Sequence, residues 1–265
     1  MKQHIVGVML LFIVFTMRAQ ESTASKNVSS FTIEAPQLKG SKKIWVYLPH
    51  NYSTTTKKFP VIYMHDAQNL FDRKTSYAGE WRADEVLDSL HAQAIVIGIE
   101  HGNEKRMDEL TPYPNEKHGG GGADAYLDFI VNTLKPHVDK TFRTKTKAKH
   151  TTIMGSSLGG LVSYYALLKY PDVLGKAGVF SPSFWFNDKI YALTENTKKI
   201  KGKIYFMAGD SESKDMVPDL ERMAEIERQK AKKDNHLQVK IVKGGKHNEA
   251  LWSRELADAY LWLMD

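Results

Sequence analysis

The chain has no cysteine among its 265 residues. That excludes disulfides, a thiolate nucleophile and any cysteine-ligated metal or iron–sulfur site. It also lacks a long apolar run. The longest, IVGVMLLFIVF at Ile5–Phe15, is too short for a helix that must hold about 20 apolar residues to span a bilayer. There are only 9 prolines and no low-complexity tract, so nothing marks a long linker. No histidine pair has H-E-x-x-H spacing, and no Gly-Lys-Ser/Thr follows the glycine run at 119–122, which excludes a zincin helix and a P-loop. We expect no cofactor and no metal. The formal charge is +6, but the lysines are scattered over turns and helix ends. Without clustering or interleaved aromatics they read as solvated surface, not a nucleic-acid face.

What is present is a chain that is 42% hydrophobic and 26% charged, the balance of a globular domain large enough to bury a core without staples. Lys2, the short apolar run and the small polar residues of RAQESTAS have the order of a secretory signal peptide. Residues 1–22 are therefore expected to be a leader, cleaved between Ala19 and Ala24. Residues 23–265 are expected to form one domain, secreted or periplasmic and without a stable membrane anchor. The sequons at Asn27 and Asn51 would matter only in a eukaryotic secretory setting.

From about residue 60, strand-like and helix-like segments alternate. FPVIYMHD, AIVIGIE, HTTIMG, KAGVFSP and KIYFMAG are short apolar runs, and HLQVKIVKG alternates. Between them, Leu127, Ile130, Val131, Leu134 and Val138 keep helical spacing, as do Leu158, Leu161, Val162 and Tyr165. Trp252, Leu256, Ala259, Tyr260 and Leu263 stripe the last helix. The pattern predicts an α/β fold with a mostly parallel sheet and helices on both faces. SSFTIEAPQL and KKIWVYLP, ahead of it, predict an antiparallel pair.

The chemistry concentrates at Gly155-Ser156-Ser157-Leu158-Gly159, a G-x-S-x-G between a predicted strand and a predicted helix. In a nucleophile elbow the serine occupies a strained turn, and small residues on either side let helix and strand approach. Ser157 would then sit at a helix N-terminus, where free N–H groups can hold an oxyanion. A serine hydroxyl needs a base. His247, on a glycine turn after the last strand, supplies one. A carboxylate after the preceding strand completes the order Ser, acid, His. Glu212 is the expected acid, three residues beyond Gly209, with Asp210 as alternative. Asp215 is expected to cap the following helix. Oxyanion donors are expected at the backbone N–H groups of Leu158 and of Ala67 or Gln68. HGGG at 118–121 lies on the wrong loop for that task and reads as a flexible segment.

VIYMHDAQNLFD, IVIGIEHGNEKRMDELTPY, TTIMGSSLGGLVSYYAL, VFSPSFWF and GGKHNEALW together resemble the esterase family of α/β hydrolases. That family includes enterochelin esterase-like enzymes, feruloyl and acetyl-xylan esterases of carbohydrate esterase family one, S-formylglutathione hydrolase and mycolyl transferases. The resemblance runs from about residue 40 to residue 264. It implies an α/β-hydrolase fold, Ser157 as nucleophile, His247 as base and either Asp or Glu as acid. Many members carry Asp-Gly where this chain has Asp66-Ala67, so the N–H of residue 67 is kept but must tolerate a Cβ. The implied substrates are acylated sugars, hydroxycinnamoyl or acetyl esters, and siderophore esters. An acyltransferase using the same three residues, or a silent binding protein, are the alternatives. Trp81, Phe184, Trp185 and Phe186 are candidate substrate contacts. Arg106 and Glu109 are expected to pair with each other, and His65 to hydrogen-bond beside the oxyanion loop.

Overall fold

A computed structural model describes residues 21–198, 200–230 and 236–265. Most of the expected leader therefore lies outside the described residues. Eight strands form one sheet: β1 (Val28–Ala35), β2 (Gly40–Tyr47), β3 (Val61–His65), β4 (Ile95–Ile99), β5 (Thr151–Ser156), β6 (Lys176–Phe180), β7 (Lys203–Gly209) and β8 (Leu237–Val242). Their order is β1-β2-β4-β3-β5-β6-β7-β8. β1 and β2 form the antiparallel pair that the alternating segments predict, and β2 joins β4 antiparallel. Every pairing from β4 to β8 is parallel.

The helices are α1 (Ala83–Ser89), α2 (Arg106–Leu110), α3 (Ala123–Phe129), α4 (Lys135–Thr141), α5 (Leu158–Lys169), α6 (Lys189–Asn196), α7 (Met216–Lys230) and α8 (Glu249–Met264). A π-helical turn at Ile130–Leu134 joins α3 to α4. The segment EWRADEVLDSLHAQ at 80–93 has the composition of a helix, but α1 covers only Ala83–Ser89, because the chain before it is held as a loop: Trp81 N–H donates to Asn69 O and Ala83 N–H to Leu70 O.

Alternating side chains divide the interior into two layers. On one face Tyr63, Ile97, Ile153, Val179 and Phe206 pack with α3, α5, α6 and α7. On the other, Ile62, Met64, Met154 and Met207 pack with α1 and α8, including Trp252, Leu256, Ala259, Tyr260 and Leu263. Each such side chain contributes about 1.5–3 kcal/mol through removal from water, and both faces of the central strands are covered, which is why those strands read as unbroken apolar runs. The chain leaves β3 for β4 on one side and later returns to β5 on the other. The crevice outside the carboxyl ends of β3 and β5 is thus the switch point where open α/β sheets bind ligands. Among the described residues, no helix is long and apolar enough to cross a membrane.

Candidate active site

β5 ends at Ser156 and α5 begins at Leu158, leaving Ser157 alone in the turn with φ 58° and ψ −121°. A non-glycine residue there carries about 1–3 kcal/mol of strain. Close approach enforces it. A Cβ on Gly155 would stand 2.9 Å from the Gly159 carbonyl carbon, and one on Gly160 would stand 2.8 Å from Phe180 O. Gly160 is part of the elbow although its spacing does not announce it. Ser157 N–H donates to Phe180 O and Ser183 N–H donates to Ser157 O, so β6 and the turn after it hold the elbow in place. Ser157 Oγ lies 3.3 Å from Ser183 Oγ, its side-chain hydrogen-bond partner among the described residues.

His247 lies across the crevice. Asn248 caps α8, its side chain accepting from Leu251 N–H at 3.0 Å, which places His247 just ahead of the helix. His247 Nδ1 is 2.6 Å from Glu212 Oε2. Glu212 is nearly fully buried, its side chain 1% exposed. Its other oxygen accepts from Gly209 N–H at 2.6 Å and from Ser181 Oγ at 2.7 Å, and Ser181 in turn accepts from Trp252 Nε1–H at 2.8 Å. The Trp252 ring also meets the His247 imidazole edge-on, 5.1 Å between centroids. Asp210 is exposed and turned elsewhere: it accepts from Gly244 N–H and Ser211 Oγ, holding the turn after β8. The structure thus brings Glu212, not Asp210, to His247. Ser157 and His247 line the same cavity without a direct hydrogen bond, as is common before substrate binds.

The 3-10 turn Ala67–Asn69 follows β3. Its first N–H groups, like that of Leu158 at the start of α5, have no intrahelical partner. The left-handed residue is Asp66, φ 56°, and Ala67 keeps a negative φ. Alanine is therefore unstrained at this position. Its methyl has room because Gly98 faces it on β4: a Cβ at Gly98 would come within 2.8 Å of Ala67 Cβ.

Asp66 is clamped by Arg106, Nε to Oδ1 and Nη2 to Oδ2, both 2.8 Å. Burial pushes the Asp66 carboxyl up, but the two charged hydrogen bonds outweigh it and hold the group below its usual range. This corrects the expected Arg106–Glu109 pair. Glu109 is buried against β2, where it pairs with Lys42 at 2.6 Å and accepts from Gly102 N–H. The two residues sit three apart on α2, but Arg106 reaches Asp66 after β3 while Glu109 reaches Lys42 on β2.

The cavity measures about 890 Å³, and its lining combines Tyr77, Trp81 and Trp252 with Lys43, Arg106, Asp66 and Glu100. Trp81 stacks on Trp252 with centroids 5.8 Å apart. Phe184 and Phe186 do not reach the cavity. They are buried in the core, packing against Tyr164, Tyr191 and Phe206 or beside His118, while Trp185 between them is 55% exposed. The turn after β6 sends its apolar side chains inward because α5 and α6 leave an apolar space there. The HGGG segment is tied down rather than loose: Asn115 exchanges backbone hydrogen bonds with Gly119 and donates from Nδ2 to Phe186 O. At the next helix, Ser213 Oγ, not Asp215, accepts from Met216 N–H. Glu249, which the sequence does not single out, lines the cavity with its carboxyl pushed up by burial.

A family model described as "Putative esterase" matches residues 35–263. The chain belongs to this esterase family. It is 27% identical over 243 residues to the uncharacterized protein YbbA of Bacillus subtilis, covering 84% of this chain and 93% of that one. It is 30% identical over 144 residues to the ferri-bacillibactin esterase BesA of the same organism, and 30% identical over 136 residues to the siderophore triacetylfusarinine C esterase of Aspergillus fumigatus. Those two matches cover 49% and 48% of this chain and 49% and 45% of the relatives, about half of each. The fold is that of the enterochelin esterase of Shigella flexneri, TM-score 0.72 at 18% identity over 91% of this chain and 59% of that one. It is also that of the BES protein of Bacillus cereus, TM-score 0.70 at 20% identity over 94% and 98%. The architecture is accordingly an α/β-hydrolase type, and the enzyme is a carboxylic ester hydrolase.

His65 generates a test of how the esterase responds to acid. Its ring is buried behind the elbow, Nδ1 2.8 Å from Tyr126 Oη, and burial lowers its pKa from 6.5 to about 4. The unfolded chain binds this proton first, so the contribution of neutral His65 is complete above pH 6.5 and is lost as pH falls towards 4. Urea titrations across that window should show a loss of up to about 3 kcal/mol, and His65→Gln should remove that part of the slope.

Proposed function

We propose that this esterase is an exported serine hydrolase that cleaves bulky aryl-acyl or siderophore-type esters through an acyl-enzyme. The observation that carries the reading is the buried, fully hydrogen-bonded Glu212 carboxylate 2.6 Å from His247, facing a strained Ser157 across one cavity. With its Nδ1 proton held by Glu212, the imidazole presents Nε2 as the base. Ser157 Oγ turns from Ser183 toward it, loses its proton and attacks the ester carbonyl. The oxyanion faces the N–H of Leu158 and those of Ala67 or Gln68, which the Asp66–Arg106 clamp keeps in place. His247 then returns the proton to the leaving alcohol, and water repeats the cycle. Glu212 is the acid in this scheme because Asp210 is committed to the β8 turn.

The cleft supports the substrate class. Its volume lies in the range that encloses a drug-sized ligand, and the Trp81–Trp252 wall offers flat apolar surface to an aryl group. Lys43 and Arg106 also line it and, although already paired with Glu100 and Asp66, keep N–H donors that would favour an acyl group carrying acceptor oxygens. The siderophore esterases among the relatives agree with such a group.

A fluorophosphonate probe should label the purified enzyme and not Ser157→Ala, whose kcat should fall by about 10⁴-fold or more; labelling of both proteins would refute the assignment. Glu212→Gln should lower kcat by about 10³–10⁴-fold, whereas Asp210→Asn should stay near wild type. Reversed effects would give the acid role to Asp210. Across acyl groups on one alcohol, kcat/KM should favour dihydroxybenzoyl and feruloyl over acetyl, and Trp81→Ala should erase the difference.

A further inference from the structure

Outside the cleft, three carboxylates converge where the segment before β1 crosses the start of α1. One oxygen from each of Glu80, Asp84 and Glu85 lies within 4.8 Å of the others. Each carboxylate has one oxygen already engaged. Glu80 Oε1 accepts from Thr23 Oγ1 at 2.8 Å, Asp84 Oδ2 from Ser25 N–H at 2.6 Å, and Glu85 Oε1 from Arg82 Nε at 3.1 Å. The remaining oxygens carry the information. Asp84 is 0% exposed, yet its Oδ1 has no partner among the described residues. Glu85 Oε2 and Ser25 Oγ are likewise buried and unpartnered.

Three acids gathered around a buried, unpartnered carboxylate oxygen, with one exposed arginine nearby, would be costly if left as they stand. A proton shared between Asp84 and Glu85 relieves only that pair and leaves Glu80 outside. A hard divalent cation takes an oxygen from each of the three carboxylates at once. Side-chain carboxylates on a half-buried surface, completed by water, suit the flexible all-oxygen shell of calcium better than the near-ideal octahedron that magnesium demands. We propose that Glu80, Asp84 and Glu85 form a structural calcium site that staples the segment before β1, held to Asp84 by Ser25 N–H, onto α1. Waters complete the shell, as calcium takes 6–8 oxygens. The site lies one turn from Trp81, so it also steadies the 72–80 loop that lines the cleft.

The test uses the mature protein, stripped with chelator and dialysed. Calcium alone should raise Tm by about 5 °C at a large excess over a dissociation constant of about 0.1–1 mM. Equal magnesium should raise it far less. Terbium should show luminescence sensitised by Trp81, displaced by calcium. Glu85→Gln and Glu80→Gln, both on half-buried side chains, should fold, keep ester turnover and lose the calcium response. The proposal is overturned if the stripped wild type shows neither a calcium-dependent Tm rise nor terbium luminescence. It is equally overturned if Glu85→Gln and Glu80→Gln retain the response, or if Glu85→Gln alone stabilises the metal-free protein while calcium does nothing, the signature of a shared proton. None of these readouts depends on Ser157, so the site stands or falls apart from the proposed ester chemistry.

Discussion

The close approach of α5 to β5 and β6 is the constraint on which the cleft depends. With no Cβ at Gly155 or Gly160, the helix backbone comes within contact distance of the strand and of Phe180 O. That approach forces Ser157 into a left-handed conformation and lifts it clear of the sheet. It also puts the N-terminus of α5 beside the 3-10 turn at Ala67–Asn69, so two sets of free N–H groups come from elements far apart in sequence. The strain is held by the parallel ladder on either side of β5, which cannot relax without breaking hydrogen bonds in two strand pairs.

Around this turn the ionisable groups are sorted by their environments. Asp66 is buried but paired with Arg106, so it stays charged and fixes the loop. Glu212 is buried but takes two donors on one oxygen and His247 on the other, so the carboxylate is fully satisfied. His65 has no such charge partner and stays neutral behind the elbow. Glu249, its carboxyl pushed up by burial, shares the cleft with two paired cations, Lys43 beside Glu100 and Arg106 on Asp66.

How much of this can be read from the residues alone differs by element. The strands over 61–65, 151–156 and 203–209 and the stripe of α8 follow from burial on one or both faces, which is local and periodic. The turn residues behave differently. Phe184 and Phe186 look like a wall for a ligand because they follow a strand at the ligand edge. In the fold they point the other way, since a turn has no period that fixes side-chain direction. Arg106 and Glu109 look like a pair because they are three apart on a helix, but each has a better partner on a different strand or loop. Gly160, Ser181 and Trp252 carry no motif, and their importance comes only from what they touch.

By itself the sequence determined the alternation of strands and helices, the absence of thiol chemistry, and the order in which serine, acid and histidine leave the sheet. These depend on residue type and spacing, which the chain carries locally. Only the tertiary structure decided which carboxylate meets His247, which way the aromatic turn faces, and that Arg106 clamps the loop at Asp66. It alone gathered Glu80, Asp84 and Glu85 beside Ser25. Each of these is a contact between segments tens of residues apart, selected by burial and by the need to pair buried polar atoms.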